Sequence, residues 1–267
     1  MKTRILSALV GLSVLLLCMS IAPLSRVLFF AGVAVCCTYE FSRGMENIRI
    51  YCCAWVMYLY IAIQALLCLL HAGPVAFLVC FCGAVYLALF SGVLHAKVSG
   101  SGSLATLAGV AYLGFLLGLI MVISVGEYWR ESLLMGLVPS LVCDCFAFFG
   151  GTLFGRHKLA PAISPKKTVE GALSGAVMGT LSGLGLYFLF PALGIEGLGL
   201  PFCLLAAFFS STMGQVGDLA ASLMKRFLNI KDFSNLIPGH GGMLDRADSL
   251  LFAIPAAYLC IALLRLL

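Results

Sequence analysis

The sequence predicts an all-α membrane protein, and three observations lead to this fold class. Of the 267 residues, 62% are hydrophobic and 10% are charged, whereas an ordinary soluble protein is roughly 45–50% apolar and about 25% charged. Charge-free apolar runs alternate with short charged connectors along the whole chain. These runs are apolar on all sides, without the alternation of membrane β-strands. A water-soluble globule and a membrane β-barrel are therefore excluded.

Each apolar run is long enough, or nearly so, to cross the bilayer core as a helix, which takes about 20 residues. The first run resembles a secretory signal peptide, but Pro23 directly follows its small-residue motif, so we expect the run to be retained as a helix. About nine transmembrane helices are expected on this length criterion, the second of them short. They are Ile5–Ala22, Val27–Phe41, Tyr51–Leu70, Val75–His95, Leu104–Val125, Ser132–Phe154, Gly171–Leu193, Pro201–Leu223 and Ser249–Leu266.

The positions of the basic residues predict the orientation of the chain. With a cytoplasmic N-terminus, 13 of the 16 lysines and arginines fall in cytoplasmic segments, as the positive-inside rule requires. We expect one integral membrane domain over 1–267, with hydrophobic helices over 1–131 and catalytic helices over 132–267. Cytoplasmic loops at 155–170 and 224–248 hold two charged clusters, Arg156–Glu170 with five charges and Lys225–Asp248 with seven. The active site is therefore expected on the cytoplasmic side of the C-terminal half.

Carboxylates inside predicted spans are the next unusual feature, because a charge at bilayer depth costs at least about 2.5–3.5 kcal/mol and is usually kept for function. Asp144 and Asp218 lie inside spans. Glu40 also ends a span, but Arg43 follows one helical turn later. We interpret Glu40 as half of an ion pair at the membrane interface.

The span around Asp218 predicts both a packing face and a polar face. On helical spacing, Asp218, Ser222 and Lys225 share one face. A functional site and a structural Asp–Lys tether at the membrane edge are both compatible with this spacing. Small residues at three- and four-residue steps give a face suited to close helix packing: Ser210, Gly214, Gly217 and Ala221.

The segment Pro238–Gly242, with the sequence PGHGG, cannot continue a helix. Asp245 and Asp248 follow it one turn apart, just before the last apolar run. If a helix begins near Leu244, both carboxylates lie at its N-terminal end. Oxygen ligands beside open backbone N–H groups suit Mg²⁺ with phosphate. A simple N-terminal capping cluster is the alternative.

The cluster Arg156–Glu170 combines four basic residues with two prolines. A tight turn is predicted over Ser164–Thr168, in which Thr168 caps the following span. We prefer a phosphate-binding loop, in which Lys166 and Lys167 hold nucleotide phosphates. An ordinary positive-inside loop is the alternative.

The segment Ser222–Asp248 resembles the signature of the phosphatidate cytidylyltransferases, also called CDP-diacylglycerol synthases, of bacterial type. The likeness extends from about Leu141 to the C-terminus. The first half agrees only in having several hydrophobic helices. Every fixed position of the signature has its counterpart here: Ser222, Lys225, Arg226, Lys231, Asp232, Pro238, His240, Gly241, Gly242, Asp245, Arg246 and Asp248.

The resemblance implies an enzyme of phospholipid synthesis in the cytoplasmic (inner) membrane of a bacterial-type cell. Its substrates would be CTP and phosphatidic acid, its products CDP-diacylglycerol and pyrophosphate, and its cofactor Mg²⁺, with a second cation as an open alternative. A homodimer among membrane lipid is expected, and no nucleic-acid partner.

The reaction needs cations, because CTP and phosphatidate are both anionic and repel one another. Roles for the signature residues follow from this need. Asp218, Asp245 and Asp248 are assigned to metal ions, with Asp144 as a weaker candidate. Lys225, Arg226 and Arg246 are assigned to neutralise substrate and pyrophosphate. His240 is interpreted as a donor to phosphate, with a structural role as the alternative. The remaining substrate-binding candidates are Ser222, Lys231, Asp232, Gly241, Gly242, Lys166, Lys167 and Thr168.

Two other functions stay open at this point. A CTP-dependent lipid-alcohol kinase shares the need for CTP, metal and membrane, but it releases CDP rather than pyrophosphate. A transporter could use Asp144 and Asp218 as an ion relay, which predicts a broken helix at mid-membrane.

Overall fold

The computed structural model describes Gly11, Ser13 and residues 17–95, 97–195, 198–237 and 241–266. Within these residues the chain is helical apart from one two-stranded sheet, the non-helical residues 228–237 and 241–243, and short connectors. Seven of the described helical stretches are long and apolar enough to cross a membrane, and Ala54–Leu69 is apolar but shorter. The all-α membrane fold is confirmed. The orientation and the number of spans stay predictions, and the first predicted span lies mostly outside the described residues.

The chain divides into two compact units. The first contains the residues up to Val125 together with Phe227–Arg246. Its described helices are α1 (Pro23–Asn47), α2 (Ala54–Leu69), α3 (Pro74–Leu94), α4 (Gly100–Gly109) and α5 (Leu116–Val125). A π-helical segment, Val110–Phe115, joins α4 to α5. Helix α1 packs against both α2 and α5.

Helix α1 corrects the prediction of a short second span over Val27–Phe41. The helix has 25 residues and begins with Pro23 in its first turn, where proline is tolerated because the N–H has no helical partner. The apolar run stops near Glu40, but the helix continues to Asn47 because backbone hydrogen bonding does not depend on side-chain polarity. Glu40 and Met45 are buried in this continuation.

The second unit contains Gly126–Arg226 and the residues from Ala247 onward. Its elements are α6 (Trp129–Phe154), β1 (Lys158–Ala160), β2 (Ser164–Thr168), α7 (Val169–Ala192), α8 (Leu200–Phe227) and α10 (Leu250–Leu266). The short helix α9 (Leu244–Ala247) includes the chain boundary between the two units, which falls after Arg246. Helices α6 and α8 are continuous across Asp144 and Asp218, whereas the transporter interpretation predicts a break there.

Helix α7 has buried glycines at every fourth position, namely Gly171, Gly175, Gly179 and Gly183. Gly171 and Gly175 face α6, Gly179 faces both α6 and α8, and Gly183 faces α8. A Cβ at Gly175 would lie 2.7 Å from the carbonyl oxygen of Cys143. Glycine therefore lets the two helix backbones approach. This fixes α6, and with it Asp144, against the start of α7.

Candidate active site

Helix α8 has the two faces that its sequence predicts. Asp218, Ser222 and Lys225 lie on one continuous helix, so they share a face. The small residues Ser210, Gly214, Gly217 and Ala221 are all buried. A Cβ at Gly214 would lie 2.7 Å from Ser140 Oγ, and one at Gly217 would lie 2.5 Å from the backbone oxygen of Asp248. The predicted packing face is confirmed, and it places the backbone of Asp248 next to the residue that precedes Asp218.

An ion pair joins Asp218 to the β2 strand. Lys167 Nζ contacts Asp218 Oδ2, and each side chain is 29% exposed. Asp144, on α6, is exposed and interacts electrostatically with both Asp218 and Lys167. Lys167 of the hairpin therefore pairs with Asp218, and its charge also acts on Asp144 from a different helix. Spacing along α8 could not show this lysine.

The basic segment is a β-hairpin, so the predicted tight turn over Ser164–Thr168 is wrong. Strand β2 covers those residues and pairs with β1 in antiparallel register, with Lys158 opposite Thr168. The turn lies at residues 161–163. Because side chains alternate along a strand, Lys166 and Lys167 point to opposite sides. Lys166 is exposed, whereas Lys167 reaches Asp218.

Thr168 caps α7, as predicted. Its Oγ1 accepts a hydrogen bond from the N–H of Gly171 at 3.1 Å, and the side chain is buried. This contact gives Thr168 a structural role. Its predicted role in substrate binding stays a prediction.

Two contacts that the sequence did not predict fix the hairpin to its neighbours. Glu170 accepts hydrogen bonds from the N–H of Arg156 at 3.0 Å and of His157 at 3.2 Å, and it pairs with His157 Nδ1 at 2.6 Å. At the turn, Arg226 Nε donates to the carbonyl oxygen of Ile163 at 3.1 Å. Arg226 thus joins the end of α8 to the hairpin.

In the first unit, Asp245 organises the described residues 233–237 and 241–245, which we call the signature loop. Its Oδ2 accepts hydrogen bonds from the N–H of Phe233 at 2.9 Å and of Gly242 at 3.0 Å. The N–H of Ile237 donates to the carbonyl oxygen of Gly241 at 2.9 Å, and Gly241 has φ +84°, which favours glycine. Pro238, Gly239 and His240 lie outside the described residues, so the role assigned to His240 stays a prediction.

Glu40 contacts the signature loop, so its interpretation as an ion pair with Arg43 is wrong. Its carboxylate accepts hydrogen bonds from Ser234 Oγ at 2.5 Å and from the N–H groups of Met243 and Leu244, both at 2.8 Å. Glu40 is 1% exposed. Arg43 instead lies over the ring of Tyr39, 5.6 Å from its centroid.

These contacts also change the interpretation of the glycine-rich segment. The N–H groups of Gly242, Met243 and Leu244 bind side-chain carboxylates. The expectation of open N–H groups at these three positions is therefore wrong. The sequence pattern did not reveal the two acceptors, because Glu40 comes from the distant helix α1 and Asp245 from the C-terminal end of the signature loop.

The other signature residues differ in exposure. Lys231, Asp232 and Arg246 are exposed, and Ser222 and Lys225 are half-buried. Asp248 is buried, and its Oδ1 accepts a hydrogen bond from the N–H of Ser249 at 2.8 Å. Their assigned roles stay predictions.

Within each unit, the described residues contain no group of three histidine, cysteine or acidic side chains that could hold a metal ion. Mg²⁺ does not need such a cage, because it commonly uses one or two carboxylates together with water and substrate phosphates. The neighbouring carboxylates of Asp144 and Asp218 fit that mode of binding.

Comparison with known proteins gives the family. The sequence profile described as the cytidylyltransferase family matches residues 2–264. The chain belongs to this family. The predicted resemblance is confirmed, and the predicted enzyme class, a nucleotidyltransferase, is confirmed at the level of the family.

Curated relatives carry the name phosphatidate cytidylyltransferase. The protein from Brucella abortus biovar 1 is 31% identical over 97% of this chain and 92% of its own length. The relative from Bacillus subtilis is 43% identical over 45% of this chain, and that from Aquifex aeolicus is 39% identical over 54%. The chain spans about half the length of these last two relatives, 43% and 51% respectively.

Proposed function

We propose that the protein transfers the cytidylyl group from CTP to phosphatidic acid, producing CDP-diacylglycerol and pyrophosphate. The observation that carries this proposal is the ion pair of Lys167 with Asp218, beside Asp144, in a chain of the cytidylyltransferase family. This cluster combines acidic oxygens with a cation, as the transfer of a nucleotide between two anions requires. The relatives' name, phosphatidate cytidylyltransferase, supports the same substrate class.

The reaction needs no strong general base. An oxygen of the phosphatidate phosphate attacks the α-phosphorus of CTP, the bond from that phosphorus to the bridging oxygen breaks, and pyrophosphate leaves. A phosphate monoester has its second pKa near about 6, by analogy with phosphoserine, so the attacking oxygen is ionised at neutral pH. The task of the protein is to align two anions and to compensate their charge.

We assign charge compensation to the basic residues of the site. Lys167 holds a nucleotide phosphate while Asp218 fixes its ammonium group in place. Lys225 and Arg226 neutralise phosphate charge at the end of α8. In the signature loop, Asp245 orders the backbone, and Arg246 follows it directly with an exposed guanidinium.

We further propose that the enzyme depends on Mg²⁺. Asp218 and Asp144 of the second unit would hold it. The signature also implies metal-ligand roles for Asp248 and, in the first unit, for Asp245. When bound, Mg²⁺ would neutralise phosphate charge and order the phosphates of CTP. We also propose a homodimer in the inner membrane, with the N-terminus and the two charged clusters on the cytoplasmic side.

The test is product analysis with purified protein in detergent. Radiolabelled CTP and phosphatidic acid are incubated with and without Mg²⁺, and lipid and water-soluble products are separated. We expect labelled CDP-diacylglycerol with stoichiometric pyrophosphate. Release of CDP with a phosphorylated lipid alcohol would instead identify the kinase, and activity that persists in excess EDTA would contradict the dependence on a divalent metal.

A further inference from the structure

Helix α1 of the N-terminal half holds the signature loop through Glu40. The carboxylate binds three donors of that loop, the Ser234 hydroxyl and the N–H groups of Met243 and Leu244, at 2.5, 2.8 and 2.8 Å. These residues lie about 200 positions from Glu40 in the chain, as the separations of 194, 203 and 204 show. All of them belong to the first unit.

The packing around Glu40 supports a specific contact. A Cβ at Gly242 would lie 2.7 Å from Glu40 Oε2, so only glycine allows the carboxylate to approach the loop so closely. One turn along α1, Gly44 faces Leu228, whose Cδ1 lies 2.8 Å from the position of a Cβ there. Leu228 is 1% exposed. The same face of α1 therefore contacts the signature loop through Glu40 and the preceding residue Leu228 through Gly44.

A buried carboxylate is costly unless hydrogen bonds compensate it, and hydrogen bonds to an ionised acceptor are stronger than neutral ones. Here the compensating donors come from the loop. Glu40 and Asp245 together engage three consecutive N–H groups, those of Gly242, Met243 and Leu244. The backbone just before Asp245 and Arg246 is thus fixed by carboxylates of the protein itself.

We propose that Glu40 is a positioning residue, which holds the signature loop in the conformation that aligns Asp245 and Arg246 for nucleotide transfer. This inference rests on the proposed transferase function. Glu40 does not touch substrate in this proposal. It acts through the loop, so its loss lowers the turnover rate more than it weakens CTP binding.

The experiment compares Glu40→Gln and Glu40→Asp with wild type. In Glu40→Gln the amide –NH₂ group replaces one acceptor oxygen and faces a backbone N–H, so two donors oppose each other. Glu40→Asp keeps both oxygens on a side chain one methylene shorter. Glu46→Gln is the matched control, because Glu46 lies on the same helix and is exposed.

We expect Glu40→Gln to lower kcat by about tenfold or more, as losses of supporting contacts around a site often do, with the KM for CTP within about threefold of wild type. Glu40→Asp should recover part of the rate, and Glu46→Gln should match wild type. Hydrogen–deuterium exchange of the peptide containing Met243 and Leu244 should become faster in Glu40→Gln but not in Glu46→Gln.

Two results would overturn the inference. One is a kcat for Glu40→Gln within about threefold of wild type together with unchanged exchange at Met243 and Leu244. The other is a lower KM for CTP in Glu40→Gln, which would mean that Glu40 competes with a phosphate for the N–H groups. Wild-type protein that transfers no cytidylyl group would instead overturn the proposed function, and the exchange measurement would still test the contact itself.

Discussion

The two neighbouring lysines of strand β2 allow a sharp test of the site, because the structure separates them. Lys167 is half-buried and pairs with Asp218, whereas Lys166 is exposed on the other side of the strand. The sequence assigns both to nucleotide phosphates. The structure leads us to expect that Lys167→Ala is far more damaging than Lys166→Ala.

The size of the effect follows from the contact. Hydrogen bonds to charged groups contribute about 1.5–3 kcal/mol, and solvent screening favours the lower end here, since both side chains are 29% exposed. A loss of about 1.5 kcal/mol corresponds to roughly a tenfold change in rate or affinity. Without Lys167, the repulsion between the charges of Asp218 and Asp144 is also no longer offset by this cation.

The assay is transfer of label from CTP to phosphatidic acid at varied concentrations of each substrate. We expect Lys167→Ala to lower kcat/KM for CTP by about tenfold or more and to raise the KM for CTP more than that for phosphatidic acid, with Lys166→Ala within about threefold of wild type. Equal effects of the two substitutions would refute the reasoning from strand alternation. A defect selective for phosphatidic acid would reassign the hairpin to the lipid headgroup.

Three further predictions concern the metal ligands, the histidine and the cap. Asp218→Asn and Asp248→Asn should each lower activity by about two orders of magnitude with expression and dimerisation unchanged. Asp245→Asn should keep the signature loop protected from hydrogen exchange, whereas Asp245→Ala should not. Activity within about threefold of wild type in the Asn variants would remove the ligand assignment. His240→Gln should be more active than His240→Ala. Its pH–rate profile should still fall on the acid side of about pH 6, because this limb reflects the second ionisation of phosphatidate. Equal loss of activity in both variants, with the acid limb gone, would identify His240 as a base. Thr168→Ala should cost about 1 kcal/mol of stability, seen as a lower Tm in detergent, and Thr168→Ser should recover it; equal Tm values for wild type and Thr168→Ala would contradict the capping role.

Helix positions were the most predictable part of the fold, because an apolar run of bilayer length has few alternatives to a helix. The prediction was weaker at helix ends. Hydropathy ends the second span at Phe41 and the eighth at Leu223, but the helices continue to Asn47 and Phe227. Polar residues continue a helix without changing its hydrogen bonding, so hydropathy marks the apolar part of a helix and not its end.

Local spacing predicted contacts within one element, such as the cap at Thr168 and the packing face of α8. It could not predict which lysine reaches Asp218, because that lysine comes from a hairpin. The hairpin itself has only three and five residues in its strands and includes two prolines, Pro161 and Pro165, so it shows little alternation. The contact of Glu40 with Ser234 joins residues 194 positions apart, and no local pattern encodes it.

Three backbone N–H groups of the signature loop already donate hydrogen bonds, and this limits how the loop can recognise phosphate. Backbone N–H groups in a glycine-rich loop are ordinarily good anion donors, and the sequence alone favours that role here. In the structure, those of Gly242, Met243 and Leu244 already bind carboxylates, so a phosphate could use them only by displacing Glu40 or Asp245. Exposed basic side chains of the same unit, Lys231 and Arg246, are therefore better placed to receive it. The glycines then serve the shape of the loop: Gly241 allows its positive φ, and Gly242 allows the approach of Glu40.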